Sequence, residues 1–325
     1  MDLTALRAAL YHDPATANGD CFAPDALVRL MHPIGDVTGW SGLWDSLLGP
    51  LVGAMPDVER REHIVVEGKD SAGAFWVGCA CTYIGTFQSP FMGIPATGRL
   101  AHIRAHEFFR IKDGQVVEVQ TLWDLPELMM QAGAWPMGPS LGRDWHIPAP
   151  ANQGGLGPHD ATRSQASHDI VLDMLIEMGK HPSQGGPEVM QLEKFWHPKM
   201  NWYGPAGIGT GRGIDGFRRI HQIPFLKAVP DRGQYRDLGN YHFMAEGDFV
   251  GVTGWPNMVQ TLTGSGWLGV APTGKRITMR SLDFWRIEGG LIRENWVLVD
   301  LLDMYAQVGV DVFERMGEVA RGGAM

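Results

Sequence analysis

The sequence predicts an α+β fold made of two tandem domains, each with N-terminal helices packed on a curved antiparallel sheet. Three observations carry this. The chain has 325 residues, more than the ~100–200 of one ordinary domain. It also resembles itself: residues 93–133 lie without gaps on residues 269–309, with 14 of 41 positions identical, the mark of a duplicated structural unit. The shared positions include Arg104 with Arg280, Phe108 with Phe284, Gly114 with Gly290, Glu118 with Glu294, and Asp124-Leu125 with Asp300-Leu301. Finally, helical patterning precedes β-rich patterning in both halves.

Taking the elements in order, the opening MDLTALRAAL carries Asp2 and Arg7 and no continuous apolar stretch follows, so it reads as neither a signal peptide nor a membrane span. A soluble, cytoplasmic protein is expected. Upstream landmarks of the repeat are His32-Pro33 with His197-Pro198 and Met55-Pro56-Asp57 with Val229-Pro230-Asp231. With a short insertion around Lys69 to Gly73, His63 falls on His242 and Glu67 on Glu246. Phe75 to Phe87 suits a buried strand, and Lys112-Asp113-Gly114-Gln115 is a hairpin turn. The Pro- and Gly-rich stretch 137–160 reads as a surface linker with a boundary near residue 155, separating a first domain of residues 1–136 from a second of 161–325. In the second half, Ser164 to Gly179 has helical spacing, Pro187 can open a second helix to Phe195-Trp196, and Asp215 can cap a third from Gly216 to about Lys227. From Tyr235 onward, aromatic and β-branched runs are broken by Glu246-Gly247-Asp248, Gly264-Ser265-Gly266 and Glu288-Gly289-Gly290, which read as hairpin turns.

Composition narrows the function. A net charge of −9 with 27 Lys and Arg gives no footprint for nucleic acid. The 44% apolar content supplies buried cores. Cys79 and Cys81 are too close for an ordinary bridge and read, with Cys21, as reduced core residues. Gly211 to Gly216 matches G-x-G-x-x-G, but no strand precedes it, which argues against a dinucleotide site. His102 and His106 have helical ligand spacing inside a strand pattern, so no metal is expected, and no cofactor motif appears.

The string from Pro272-Thr273-Gly274-Lys275 through Phe284-Trp285-Arg286-Ile287-Glu288-Gly289-Gly290, Glu294-Asn295-Trp296 and Asp300 to Gln307-Val308-Gly309 resembles the SnoaL-like polyketide cyclases, also called predicted ester cyclases, of the nuclear transport factor two-like superfamily. The first half follows the pattern more loosely, with Gln120 where the second has Trp296. The resemblance implies two cone-shaped α+β barrels forming an intramolecular pseudo-dimer, with further homo-oligomers open. It also implies a cofactor-independent cyclase or isomerase acting on a carbonyl or ester of a small organic molecule. A non-catalytic small-molecule binding or scaffold protein of the same fold is the alternative.

Asp300 and Asp124 end apolar strand runs, where burial would raise a carboxyl pKa into the range useful for proton transfer. The resemblance implies an acid/base role for Asp300 and for Asp124; the residue pattern alone leaves a helix cap equally open. His242 and His63 either polarise a carbonyl or are half-buried sheet histidines, and His221 lies on a helical run facing a pocket mouth or packing. If Glu288 pairs with Leu291 in an unbroken hairpin, Asp283 faces Trp296 and shares a face with Asp300; a bulge would undo this, and Asp283 can instead bond Arg280 or Arg286. Tyr203, Trp255, Trp267, Trp285 and Trp296, with Gln120 as the first-half counterpart, are candidate walls of an aromatic pocket for a flat or polycyclic molecule.

Overall fold

The computed structural model describes residues 13–152, 160–232 and 241–322. The opening residues, the boundary near residue 155 and the start of the strand pattern at Tyr235 lie outside these. No described helix is long and apolar enough to cross a membrane.

Two six-stranded sheets form, with the same order. The first runs β2 (Asp36–Thr38), β1 (Phe22–Leu30), β6 (Gln115–Trp123), β5 (Leu100–Lys112), β4 (Phe75–Thr86), β3 (Glu59–Lys69). The second runs β8 (Thr210–Arg212), β7 (Trp196–Tyr203), β14 (Leu291–Val299), β13 (Ser281–Glu288), β10 (Phe249–Thr253), β9 (His242–Glu246). A small ribbon pairs β11 (Met258–Thr261) with β12 (Arg276–Met279). Pairing is antiparallel except β1 with β6 and β7 with β14, which are parallel. Each half is a cone-shaped α+β unit whose helices cover one face of its sheet.

The helical layer repeats too. In the first half α1 (Gly39–Leu43) runs through a π turn (Trp44–Leu48) into α2 (Gly49–Ala54), and α3 (Leu125–Gln131) follows the sheet. The second half adds α4 (Ala161–Met178) and α5 (Leu192–Phe195). There α6 (Gly213–Phe217), a π turn (Arg218–Gln222) and α7 (Ile223–Ala228) repeat the broken helix, and α8 (Leu301–Gln307) and α9 (Val312–Gly322) close the chain. The broken helix starts at Gly213 rather than being capped by Asp215; Gly213 has φ +67°, tolerable without a Cβ. Gln131 and Gln307 show how literal the repeat is. Each carboxamide clamps a strand backbone, Gln131 at His102 N and O (3.0 and 2.7 Å) and Gln307 at Thr278 N and O (2.9 and 2.8 Å).

Three upstream correspondences differ from the sequence reading: the His-Pro pair, His63 with His242, and Glu67 with Glu246, since Glu67 falls on Ala245. His32 stands where the second half has Ala206, because Arg29 opposite Gln120 matches Tyr203 opposite Trp296; His197 lies at the start of β7 instead. A register shift in β3 between Glu62 and Ile64 leaves His63 as the extra residue, so Ile64 opposite Ala80 matches His242 opposite Thr253. One residue of slip sends a side chain to the other face.

The sheets pack face to face. Phe108 stacks on Phe284 at 5.0 Å, Thr253 donates to Gln120 Oε1 (2.6 Å), and Arg104 donates to the carbonyls of Tyr203 and Gly204 (3.1 and 2.7 Å). The linker is more than a surface crossing. Arg143 and Thr210 exchange backbone bonds (3.0 and 2.9 Å), pairing the edge strand β8, and Pro148 O accepts from Trp296 Nε1 (3.1 Å).

Candidate active site

Because the central strands are covered by helices on one side and by the other sheet on the other, β13 is buried along nearly its whole length. Facing is therefore set by register. A bulge between Arg286 and Ile287 places Asp283 opposite Val297 and Phe284 opposite Trp296, so the expected facing of Asp283 and Trp296 does not occur. Ser281, Asp283 and Trp285 point into the cone of the second half, whereas Leu282, Phe284 and Trp296 face the first half.

The cone holds a cavity of about 100 Å³, lined among others by Trp196, Trp202, His221, Trp267, Asp283, Trp285 and Asn295. Asp283 is buried and its carboxyl is pushed up to about 7 by burial, against the lowering effects of a hydrogen bond from Ser281 and of Arg232. Asn257 fixes Ser281 in turn, its side chain bonding the Ser281 N and O (3.0 and 2.8 Å). His221 stacks on Trp202 at 4.3 Å, and burial first, then Arg232, lowers its pKa to about 3, so the imidazole is neutral. Among the described residues, Trp196 Nε1, Trp267 Nε1, Trp285 Nε1 and His221 Nδ1 are buried without a hydrogen-bond partner. They are exceptions to the near-complete pairing of buried polar groups, as Trp123 Nε1 is in the first half.

The first cone is filled differently. Glu107 stands where the second half has Asp283, and it accepts from Arg60 Nε (3.0 Å) and from Tyr83 OH (2.8 Å), with Tyr83 against Trp123 at 4.3 Å.

The remaining candidates lie elsewhere. Asp300 does not line the second cone. Its carboxylate accepts from His32 N (3.0 Å), Arg280 (3.1 Å) and, as the cap of α8, Asp303 N (3.1 Å). Asp124 repeats the arrangement with Ala206 N (2.9 Å), Arg104 (3.0 Å) and Glu127 N (3.3 Å). Burial raises both pKa values to about 6 despite the arginines. Each aspartate thus ties its own half to a backbone N–H of the other. His242 Nδ1 lies 2.7 Å from Asp70 Oδ2 and stacks on Trp76. His63 meets Thr82 Oγ1 (2.8 Å), and burial, with His146 next, lowers its pKa to about 4. Tyr203 donates to Glu294 (3.0 Å), Trp296 packs on Tyr203, Gln120 bonds Glu118 and Thr253, and Trp255 carries the Arg280 guanidinium.

A larger space of about 300 Å³ opens between the halves beneath the linker, beside Asp124, Glu127, Asp144 and Trp145. Its carboxylates are already engaged: Asp124 as above, Glu127 by Arg104 N and His102, and Asp144 by Ser140. The site in the second cone brings together His221, Trp267, Asp283 and Trp285 of the sequence candidates. It adds Ser281, Asn257, Trp196 and Trp202, which no spacing or motif singled out.

The family model of the SnoaL-like polyketide cyclases matches residues 4–132 and again 187–308. Solved structures with similarity include IdmH from Streptomyces antibioticus (27% identity, 41% of this chain and 99% of that one, TM-score 0.34) and TsrD from Streptomyces laurentii (23%, 41% and 98%, 0.33). An NTF2-like protein from Burkholderia xenovorans LB400 is also similar (17%, 45% and 98%, 0.33). Comparison with curated proteins gives no match. With two matched segments spanning most of its length, the chain belongs to the SnoaL-like polyketide cyclase family, as a tandem duplication.

Proposed function

We propose that the second half is a cofactor-independent cyclase or isomerase of a carbonyl- or ester-bearing small molecule, with Asp283 as its acid/base. The carrying observation is a buried carboxyl with a pKa of about 7 among the residues that line the cavity of the second cone. Near neutral pH such a group is present in both forms, as general acid–base catalysis requires. The carboxylate takes the proton α to a carbonyl, and the electron pair moves to the carbonyl oxygen. In an isomerisation Asp283 returns the proton to another carbon; in a ring closure the enolate carbon attacks a second carbonyl, and Asp283 delivers the proton to the new alkoxide.

Asp300 and Asp124, which the family resemblance implies as acid/base groups, fit better as interdomain ties, since each carboxylate already accepts three bonds. The first cone, with Glu107 held by Arg60 and Tyr83, supports a scaffold role for that half. On this reading residues 1–136 and 161–325 are the two units, joined by 137–160, and their sheet contact is the intramolecular counterpart of a dimer.

Deuterium uptake from D2O at C2 of cyclohexanone, followed by NMR, tests the assignment. The parent protein is expected to exceed the buffer rate, Asp283→Asn to lose at least ~100-fold, and Asp300→Asn to retain exchange. Retained exchange in Asp283→Asn removes Asp283 from the chemistry. Bound ketone with no exchange in the parent returns the cavity to a binding role.

A further inference from the structure

The two halves leave different spaces where they tie to each other. Beside Asp300, the His32 ring lies against Phe313 of α9, with centroids 6.3 Å apart. In the matching place beside Asp124 stands Ala206, which has no ring, and the chain after α3 continues as the linker rather than as a helix. These two differences leave the space of about 300 Å³ beneath the linker. It reaches the lower end of small-molecule sites, ~300–1,000 Å³, and is about twice the ~150 Å³ that holds benzene. Its apolar wall is Met130, Trp145 and Ile147, and its polar wall includes His102. Gln131 clamps the His102 backbone, and His102 Nε2 lies 3.2 Å from Glu127 Oε1, whose other oxygen accepts from Arg104 N (3.1 Å). A carboxylate only accepts, so Nε2 carries the proton and Nδ1 of the neutral ring is an acceptor. The His102 side chain is 21% exposed, and its Nδ1 stays accessible with no hydrogen-bond partner among the described residues. In the second half Thr278 and Asp303 stand in these places, and Asp303 turns to Gln307 and Arg280, so the imidazole–carboxylate pair comes with the cavity.

We propose that the space beneath the linker is a second small-molecule site, taking a neutral aromatic molecule whose hydroxyl donates to His102 Nδ1 and whose ring lies against Trp145 and Met130. It needs neither Asp283 nor the second cone. The ligand is neutral because of the charges around it. Asp124 and Arg104 pair with each other (3.0 Å), which leaves Glu127 and Asp144 against the single guanidinium of Arg143, so an anion meets two carboxylates. Both Glu127 oxygens are engaged, and Asp144 accepts from Ser140; the acceptor on offer to a hydroxyl is the imidazole. The flat walls suit an aromatic ring, with His146 meeting His102 edge-on at 4.6 Å. The linker, expected from the sequence to be a surface crossing, thus supplies one wall of the site.

The test uses the full chain with 13C-labelled histidine and follows ring Cε1–H resonances at about pH 8, above the ordinary histidine value of ~6.5. Those of His102 and His146 are assigned from His102→Gln and His146→Gln. Phenol is expected to shift both saturably. Toluene, of similar shape without the hydroxyl, should bind about 5- to 10-fold more weakly, and benzoate no better than toluene. Ala206→His, which installs the ring that His32 supplies in the matching place, should remove the response to phenol; Met130→Trp serves if that variant does not fold. Silence of both resonances toward phenol overturns the proposal, and an unchanged response in the filled variant does so too, because it puts the ligand elsewhere. Equal binding of toluene and phenol overturns the contact with His102, and tighter binding of benzoate than of phenol overturns the neutral ligand. Asp283→Asn should respond to phenol as the parent does, so the result stands apart from the exchange experiment.

Discussion

Replacing Asp283 by Asn should change the pH dependence of stability by an amount the structure sets. In the folded chain the carboxyl is pushed up to about 7; unfolded, it returns to the ordinary ~3.9. Between those values the native state holds a proton that the unfolded state has released. Stability therefore falls as pH rises from about 4 to 7 and is flat above. A difference of about three pH units, at ~1.4 kcal/mol each, makes the charged form cost about 4 kcal/mol. Asn has nearly the same shape, and its carbonyl oxygen can still accept from Ser281. Asp283→Asn should match the parent within ~1 kcal/mol at pH 4 and exceed it by up to ~4 kcal/mol at pH 8 and above. Buried histidines act in the opposite sense. His63, His106 and His221, lowered to about 4, 3 and 3 chiefly by burial, withdraw stability as pH falls below ~6.5. They are present in both proteins and cancel in the difference. Guanidinium denaturation of the two proteins at five pH values from 4 to 9 measures it. A difference that does not grow between pH 4 and 8 would refute a buried, proton-holding Asp283.

Glu107→Gln removes the carboxylate from the buried Arg60 and should cost ~3–5 kcal/mol, largely recovered by pairing it with Arg60→Met; thermal unfolding of the three variants decides, and a loss below ~1 kcal/mol for Glu107→Gln would show that the first cone does not depend on the pair. Arg104→Met removes the donor to Tyr203 O, Gly204 O and Asp124 and leaves a buried carboxylate, so a loss of ~3–5 kcal/mol is expected. Amide exchange at Ala206, whose N–H meets Asp124, should accelerate in that variant before the sheets open; unchanged protection there would locate the tie elsewhere.

The sequence by itself determined the duplication, the α+β class and most turns. Gly114 with Gly290 and Asp124 with Asp300 recur at fixed spacing, and local turn and cap chemistry is written in the residues that perform it. It also marked Asp283, His221, Trp267 and Trp285 as residues worth placing, but not that these four share one cavity while Asp300, His242 and Trp296 sit between the halves. That was decided by tertiary structure, for a physical reason. Strands such as β4 and β13 are buried on both faces, so apolar alternation, the usual signal of facing, is missing. The facing then depends on single-residue irregularities, the bulge beside Arg286 and the extra residue at His63, each of which inverts a strand's sides without altering its composition. Asp300 and Asp283 both end up buried carboxyls. Only packing separates them: one meets two backbone N–H groups and an arginine, the other a serine hydroxyl and a cavity lined by indoles.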